Sequence, residues 1–183
     1  MEIRKILLTS LVVITCLIFL CGLQELPIDK KTKENDLFAT KNYVANKSNS
    51  MKMYDYLEKY SKEYGIPKYI FYNIAFLETR YKGPFDWDYV PSKVSPVGAQ
   101  GPMQVMPSTA KLIHKKSIPI DVLRNDIEFN VRTSAILLNK LFKQYKSWSL
   151  VCGCYNTGKP IINGYAKFCV SNLDYQKNWD YIN

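Results

Sequence analysis

The chain has no arginine-rich arm, no zinc-ligand spacing and no signature of a nucleic-acid-binding module. Its formal net charge of +9 therefore does not mark it as a nucleic-acid binder. The 25 Lys and Arg residues, set against only 16 Asp and Glu, are scattered rather than gathered into a block. Three counterparts for that charge remain: an anionic membrane, an acidic polymer such as a cell wall, and plain solvent. No internal repeat is visible, which sets aside solenoids and propellers. Cysteine is scarce where a framework would need it. Cys16 and Cys21 lie in an N-terminal apolar run, leaving Cys152, Cys154 and Cys169. An odd three permits at most one internal bridge, to Cys169 in an oxidising compartment, and small buried thiols fit equally well.

Charge is also missing from Ile6 to Leu23, "ILLTSLVVITCLIFLCGL", which follows Arg4 and Lys5. A positive start and a long apolar run are the pattern of an export segment. Eighteen residues are also just enough to span a bilayer as a helix. No clean small-x-small cleavage site follows, so residues 1–23 are expected to act as a signal peptide or a membrane anchor. Either way the remainder works outside the cytoplasm, in the periplasm or cell envelope. Residues 24–50 are polar and rich in Lys and Asn, as in a flexible linker. Residues 51–183 are then one domain, within the usual size range.

What is there is helical periodicity. Tyr54, Leu57, Tyr60 and Tyr64 recur at about 3.6 residues, Gly65 stops that helix and Pro67 opens the next. "PKYIFYNIAFLETRY" is apolar nearly all round, which predicts a central core helix. The stretch "YKGPFDWDYVPSKVSPVGAQG" is broken by prolines and glycines into a loop-rich region with room for a short β-hairpin. A helix is expected from Pro107 to about Lys116. A long amphipathic one follows, with Ile127, Val131, Leu138, Phe142 and Tyr145 on one side and Asn125 or Asp126 as cap. "SWSLVCGCYNTG" reads as a short buried helix between Ser147 and Gly158, with one or two further helices after it.

Glu78 stands out in this pattern. It shares one stripe of the core helix with Ile70 and Ile74, spaced by four. A carboxyl on a core-facing stripe is desolvated, which raises its pKa and keeps a proton available for donation. The plainer reading is an ion pair with Arg80 or Arg132, or a helix-end glutamate facing water. Aromatic residues reach 14% of the chain, including 14 Tyr, and supply the flat amphipathic surfaces that suit sugars as well as interfaces.

In order, the chain carries "ETRY" (78–81), "SPVGAQGPMQVMPSTA" (95–110), Asn130 near the start of the long helix, and "CYNTG" (154–158). Together these resemble the lytic transglycosylases, the soluble-lytic-transglycosylase catalytic domain with its goose-type-lysozyme-like architecture, over about residues 54–170. The resemblance implies a mostly α, lysozyme-like α+β fold, with the loop-rich or short β region lining a sugar-binding cleft. It implies Glu78 as the single acid and base. Ser95, Met103, Gln104, Tyr155, Asn156 and, more loosely, Tyr165 would line the cleft, hold substrate or orient the acid. The implied substrate is the glycan strand of peptidoglycan, cleaved between N-acetylmuramic acid and N-acetylglucosamine with closure of a 1,6-anhydro ring. No metal or organic cofactor is implied. Thr79 and Pro102 replace the family's Ser and Leu, Cys154 and Thr157 replace alanines, and "GPFDWDYVPS" lengthens the step from Glu78 to Ser95. That insertion brings Asp86 and Asp88, and with them the alternative of a hydrolytic muramidase using one of them to hold a water. A non-catalytic wall-binding component of an export or conjugation machine is the other alternative. Wall remodelling, secretion or conjugation machinery and phage lysis are all compatible hosts.

Overall fold

The computed structural model describes residues 47–171, and these fold as seven α-helices joined by loops. The expected export segment, nearly all of the linker, and the tail beyond residue 171 lie outside the described residues. Among the described residues no helix is long and apolar enough to cross a membrane.

Helix α1, Asn49–Tyr64, starts two residues before the expected Met51 because Ser48 caps it, accepting from Met51 N at 3.2 Å. Gly65 ends it in the left-handed region. Helix α2, Lys68–Thr79, is the central one: Ile70, Phe71, Tyr72, Asn73, Ile74 and Ala75 are all buried. It stops at Arg80, whose backbone turns left-handed and whose N–H bonds Phe76 O.

Helix α3, Pro107–His114, opens on proline in its first turn, where a missing N–H costs nothing. The six-residue helix α4, Ile120–Asn125, was not foreshadowed by periodicity, being too short to show any. Helix α5, Ile127–Tyr145, takes Asp126 as its cap, accepting from Phe129 N at 2.9 Å. It buries Ile127, Val131 and Leu138, with Phe142 and Tyr145 half-buried at its far end. Ser147 stands at the cap position of helix α6, Trp148–Thr157, without a side-chain cap bond, and Gly158 ends that helix as expected. Helix α7, Gly164–Val170, is capped by Asn163.

The core gathers around α2, from Met53 and Leu57 on α1 to Val131, Ala135 and Leu138 on α5 and Val151, Cys152, Ala166 and Cys169 on α6 and α7. Cys152, Cys154 and Cys169 are all free thiols, so no bridge forms among them. The region between α2 and α3 contains no strand. It is a loop pinned by two isolated antiparallel bridges, Val94 to Gln100 and Gln100 to Val105.

Candidate active site

The site is built where the end of α2 meets α6, α7 and the 93–105 loop. Asn73, buried on α2, anchors one side. Its Nδ2 donates to Cys169 O at 3.0 Å and Ser171 O at 2.9 Å, carbonyls left without helical partners at the end of α7. This ties α7 to α2 and brings Tyr165 over Glu78. Tyr165 Oη donates to Glu78 Oε1 at 2.6 Å.

Burial raises the Glu78 pKa above its ordinary value of 4.5, and the Tyr165 hydrogen bond offsets part of that rise by favouring the charged form. Neither Arg80 nor Arg132 pairs with it. Arg80 lies over the Phe76 ring, and Arg132 is drawn to Tyr64. Glu78 makes no salt bridge among the described residues. Tyr155, from α6, lies close enough for the Glu78 charge to raise its own pKa, a rise dominated by burial. Its hydroxyl donates to Met103 O at 2.6 Å and lies 2.9 Å from the Ser134 hydroxyl.

Thr79 carries the other side. Its hydroxyl reaches Pro102 O and Tyr89 Oη, both at 2.9 Å, stitching the end of α2 to the loop and to the inserted segment. Lys93 Nζ donates to Thr79 O at 3.0 Å. Lys93 O in turn accepts from Gly101 N at 2.8 Å and from Gln104 Nε2 at 3.1 Å. Gln104 Nε2 also donates to Gly101 O at 2.8 Å. Its backbone sits at φ 48, a left-handed conformation that non-glycine residues adopt only when surroundings impose it. The donor half of the Gln104 amide is thus held by the loop, and its Oε1 takes no hydrogen bond among the described residues.

The expected residues therefore divide. Glu78, Tyr155 and Tyr165 come together directly, and Gln104 joins them through Lys93 and Thr79. Met103 is placed otherwise than expected: its side chain is 0% exposed, packed in the core, so it offers no face to a sugar, and only its peptide group joins the site. The Ser95 hydroxyl accepts from Ala99 N at 2.9 Å and serves its own turn. Asn156 is exposed on the last turn of α6 and accepts from Asn163 Nδ2 at 3.1 Å. Thr79, Lys93 and Asn73 were not foreseen. A polar residue among the apolar neighbours of Asn73 is a signal in principle, but the partners of all three lie far along the chain.

The arrangement holds a largely buried carboxyl, whose burial favours its protonated form, next to two tyrosines. No group of three or more His, Cys, Asp or Glu able to hold a metal ion occurs among the described residues.

A search of curated proteins returns no match to the chain. Among solved structures, the complex of the 70-kDa soluble lytic transglycosylase with bulgecin A superimposes with a TM-score of 0.53 at 24% identity, over 69% of this chain and 24% of that one. An inactive mutant of the lytic transglycosylase Slt from Pseudomonas aeruginosa gives a TM-score of 0.46 at 23% identity, over 64% of this chain and 18% of that one. The chain thus spans about a quarter or less of the length of these proteins, and the likeness to the first is one of fold alone. The model of the transglycosylase SLT domain matches residues 55–168, more than half of the sequence, taking in α2, α5 and α6 and most of α7. The chain belongs to the transglycosylase SLT domain family.

Proposed function

We propose that the domain is a lytic transglycosylase that cleaves the β-1,4 bond between N-acetylmuramic acid and N-acetylglucosamine in peptidoglycan. The observation that carries this reading is the state of Glu78: largely buried, raised in pKa, hydrogen-bonded by Tyr165 and unpaired with any cation. Burial favours the protonated form of this carboxyl, and in the proposed reaction it gives its proton to the bridging oxygen as the glycosidic bond breaks. The developing oxocarbenium centre is supported by the acetamido group of the muramic residue. Glu78, now a carboxylate stabilised by the Tyr165 hydroxyl, takes the proton of the muramic C6 hydroxyl as that oxygen closes the 1,6-anhydro ring. One residue serves as acid and then as base, and the reaction consumes no water.

Glycosidases that hydrolyse usually set a second carboxyl across the cleft. Asp86 and Asp88 are the nearest candidates along the chain. Asp86 stands where its charge acts on the Tyr81 and Tyr89 hydroxyls, and Asp88 is exposed to solvent. Neither is hydrogen-bonded into the Glu78–Tyr165 pair, which supports the transglycosylase over the muramidase. Burial of Glu78 beside Tyr155 favours an enzyme over a passive wall-binding component. Work on peptidoglycan also requires export to the periplasm or cell envelope. Residues 1–23 would supply the route or an anchor, and secretion or conjugation machinery is a fitting partner for such an enzyme.

The test is turnover of purified peptidoglycan by three variants. Glu78→Gln should lose about 100- to 10,000-fold in rate, while Asp86→Asn and Asp88→Asn stay near the parent. Inactivity of either aspartate variant to the same degree as Glu78→Gln would hand the site to the hydrolase. An undiminished Glu78→Gln would remove both enzymatic readings.

A further inference from the structure

Asn130 lies on α5, makes no hydrogen bond to Glu78, and is 0% exposed. A buried primary amide is costly unless its hydrogen bonds are made. Here they are made entirely to the loop that carries Met103 and Gln104, and to the chain just before α5. Nδ2 donates to Gln100 O at 2.8 Å and to Leu123 O at 2.7 Å. Oδ1 accepts from Met103 N at 2.9 Å. Two carbonyls on one side and an N–H on the other leave a single orientation for the amide.

The far side of the same peptide stretch is held as well, since Met103 O takes the Tyr155 hydroxyl at 2.6 Å. Residue 103 is thus gripped at its N–H from α5 and at its C=O from α6. The next residue is Gln104, with its left-handed backbone. Gly101 completes the fit. It sits at φ +75, and a Cβ there would stand 2.6 Å from Asn130 Nδ2 and 2.6 Å from Leu123 O. The loop can lie against Asn130 only because that position has no side chain.

We infer that Asn130 is a positioning residue for the glycan cleft: through the Met103 N–H and the Gln100 carbonyl it fixes the loop that carries Gln104. This rests on the reading of the cleft as a glycan-cleaving site. Aspartate in its place keeps the shape and can still accept from Met103 N, but it turns two donors into acceptors facing two carbonyls. The loop must then move away from α5 while the helix itself keeps its packing.

The experiment compares the full-length protein with Asn130→Asp, Gly101→Ala and Leu57→Ala. Leu57 is a fully buried residue of α1, which carries none of the residues placed at the site. Two readouts are taken: kcat and KM on purified peptidoglycan, and the NMR resonance of the methyl-labelled Met103 side chain. A displacement on the order of an ångström at a reacting site costs on the order of 100-fold in kcat/KM. That loss is expected in Asn130→Asp and Gly101→Ala, together with a shifted Met103 methyl. Leu57→Ala should lower the melting temperature but keep parental turnover and an unmoved Met103 methyl. Gly101→Ala presses on the same contact from the loop side, so it decides the matter if Asn130→Asp does not fold. Parental turnover and an unmoved Met103 methyl in Asn130→Asp or Gly101→Ala would overturn the inference. If the parent protein cleaves no peptidoglycan, the proposed function fails. The methyl readout then still separates a moved loop, which upholds the grip of Asn130, from an unmoved one, which refutes it.

Discussion

Tyr165 Oη lies 2.6 Å from Glu78 Oε1, and that one hydrogen bond opposes the burial that raises the glutamate's pKa. Removing the hydroxyl should therefore raise the Glu78 pKa further. In Tyr165→Phe the alkaline limb of the pH–rate profile should move to higher pH, while the maximal rate falls because the carboxylate formed in the first step loses its donor. Rate measurements across pH check both signs. A limb that moves to lower pH would mean that burial and the hydroxyl do not act on Glu78 as described.

The same balance has a consequence for stability. The folded-state pKa of Glu78 is raised, so its contribution is fully present below the unfolded value and is lost as pH rises through the folded value. Glutamine at position 78 keeps an acceptor for Tyr165 and carries no charge to bury. Melting temperatures of the parent and Glu78→Gln should nearly coincide below pH 4.5, and the variant should become the more stable one toward neutral pH. A difference independent of pH, or of opposite sign at neutrality, would contradict this.

Gly153 marks where α6 presses on the segment leading to α7. A Cβ there would fall 1.7 Å from Ile161 O and 2.8 Å from Ile161 C, backbone atoms that cannot swing aside. Gly153→Ala should destabilise the domain by at least about 1–3 kcal/mol, the usual cost of overpacking. It should also lower activity, because Tyr165 is carried on the displaced segment. Thermal or denaturant unfolding measures the first effect, and an unchanged midpoint would show that the close approach does not persist in solution.

The sequence disclosed the helices whose ends carry their own chemistry. Gly65, Pro107, Asp126 and Gly158 stop or start elements by local backbone rules, and each does so in the structure. Helix α4 was silent because six residues cannot display a period of 3.6. In the site, Glu78 was readable because burial of a carboxyl follows from its place on an apolar stripe. The motif names Met103 but not which way its side chain turns; in the structure it turns into the core. Thr79 meets partners 10 and 23 residues onward, and Asn73 partners more than 90 onward, distances that only the tertiary fold brings together.

The central claim is that one glutamate both donates and recovers the proton, with an internal hydroxyl in place of water. Mass spectrometry of the fragments released from purified peptidoglycan tests it most directly. The account predicts muropeptides ending in 1,6-anhydro-N-acetylmuramic acid, lighter by one water than hydrolysed ends and without a reducing terminus. Fragments with reducing N-acetylmuramic acid ends would contradict it and make the enzyme a muramidase.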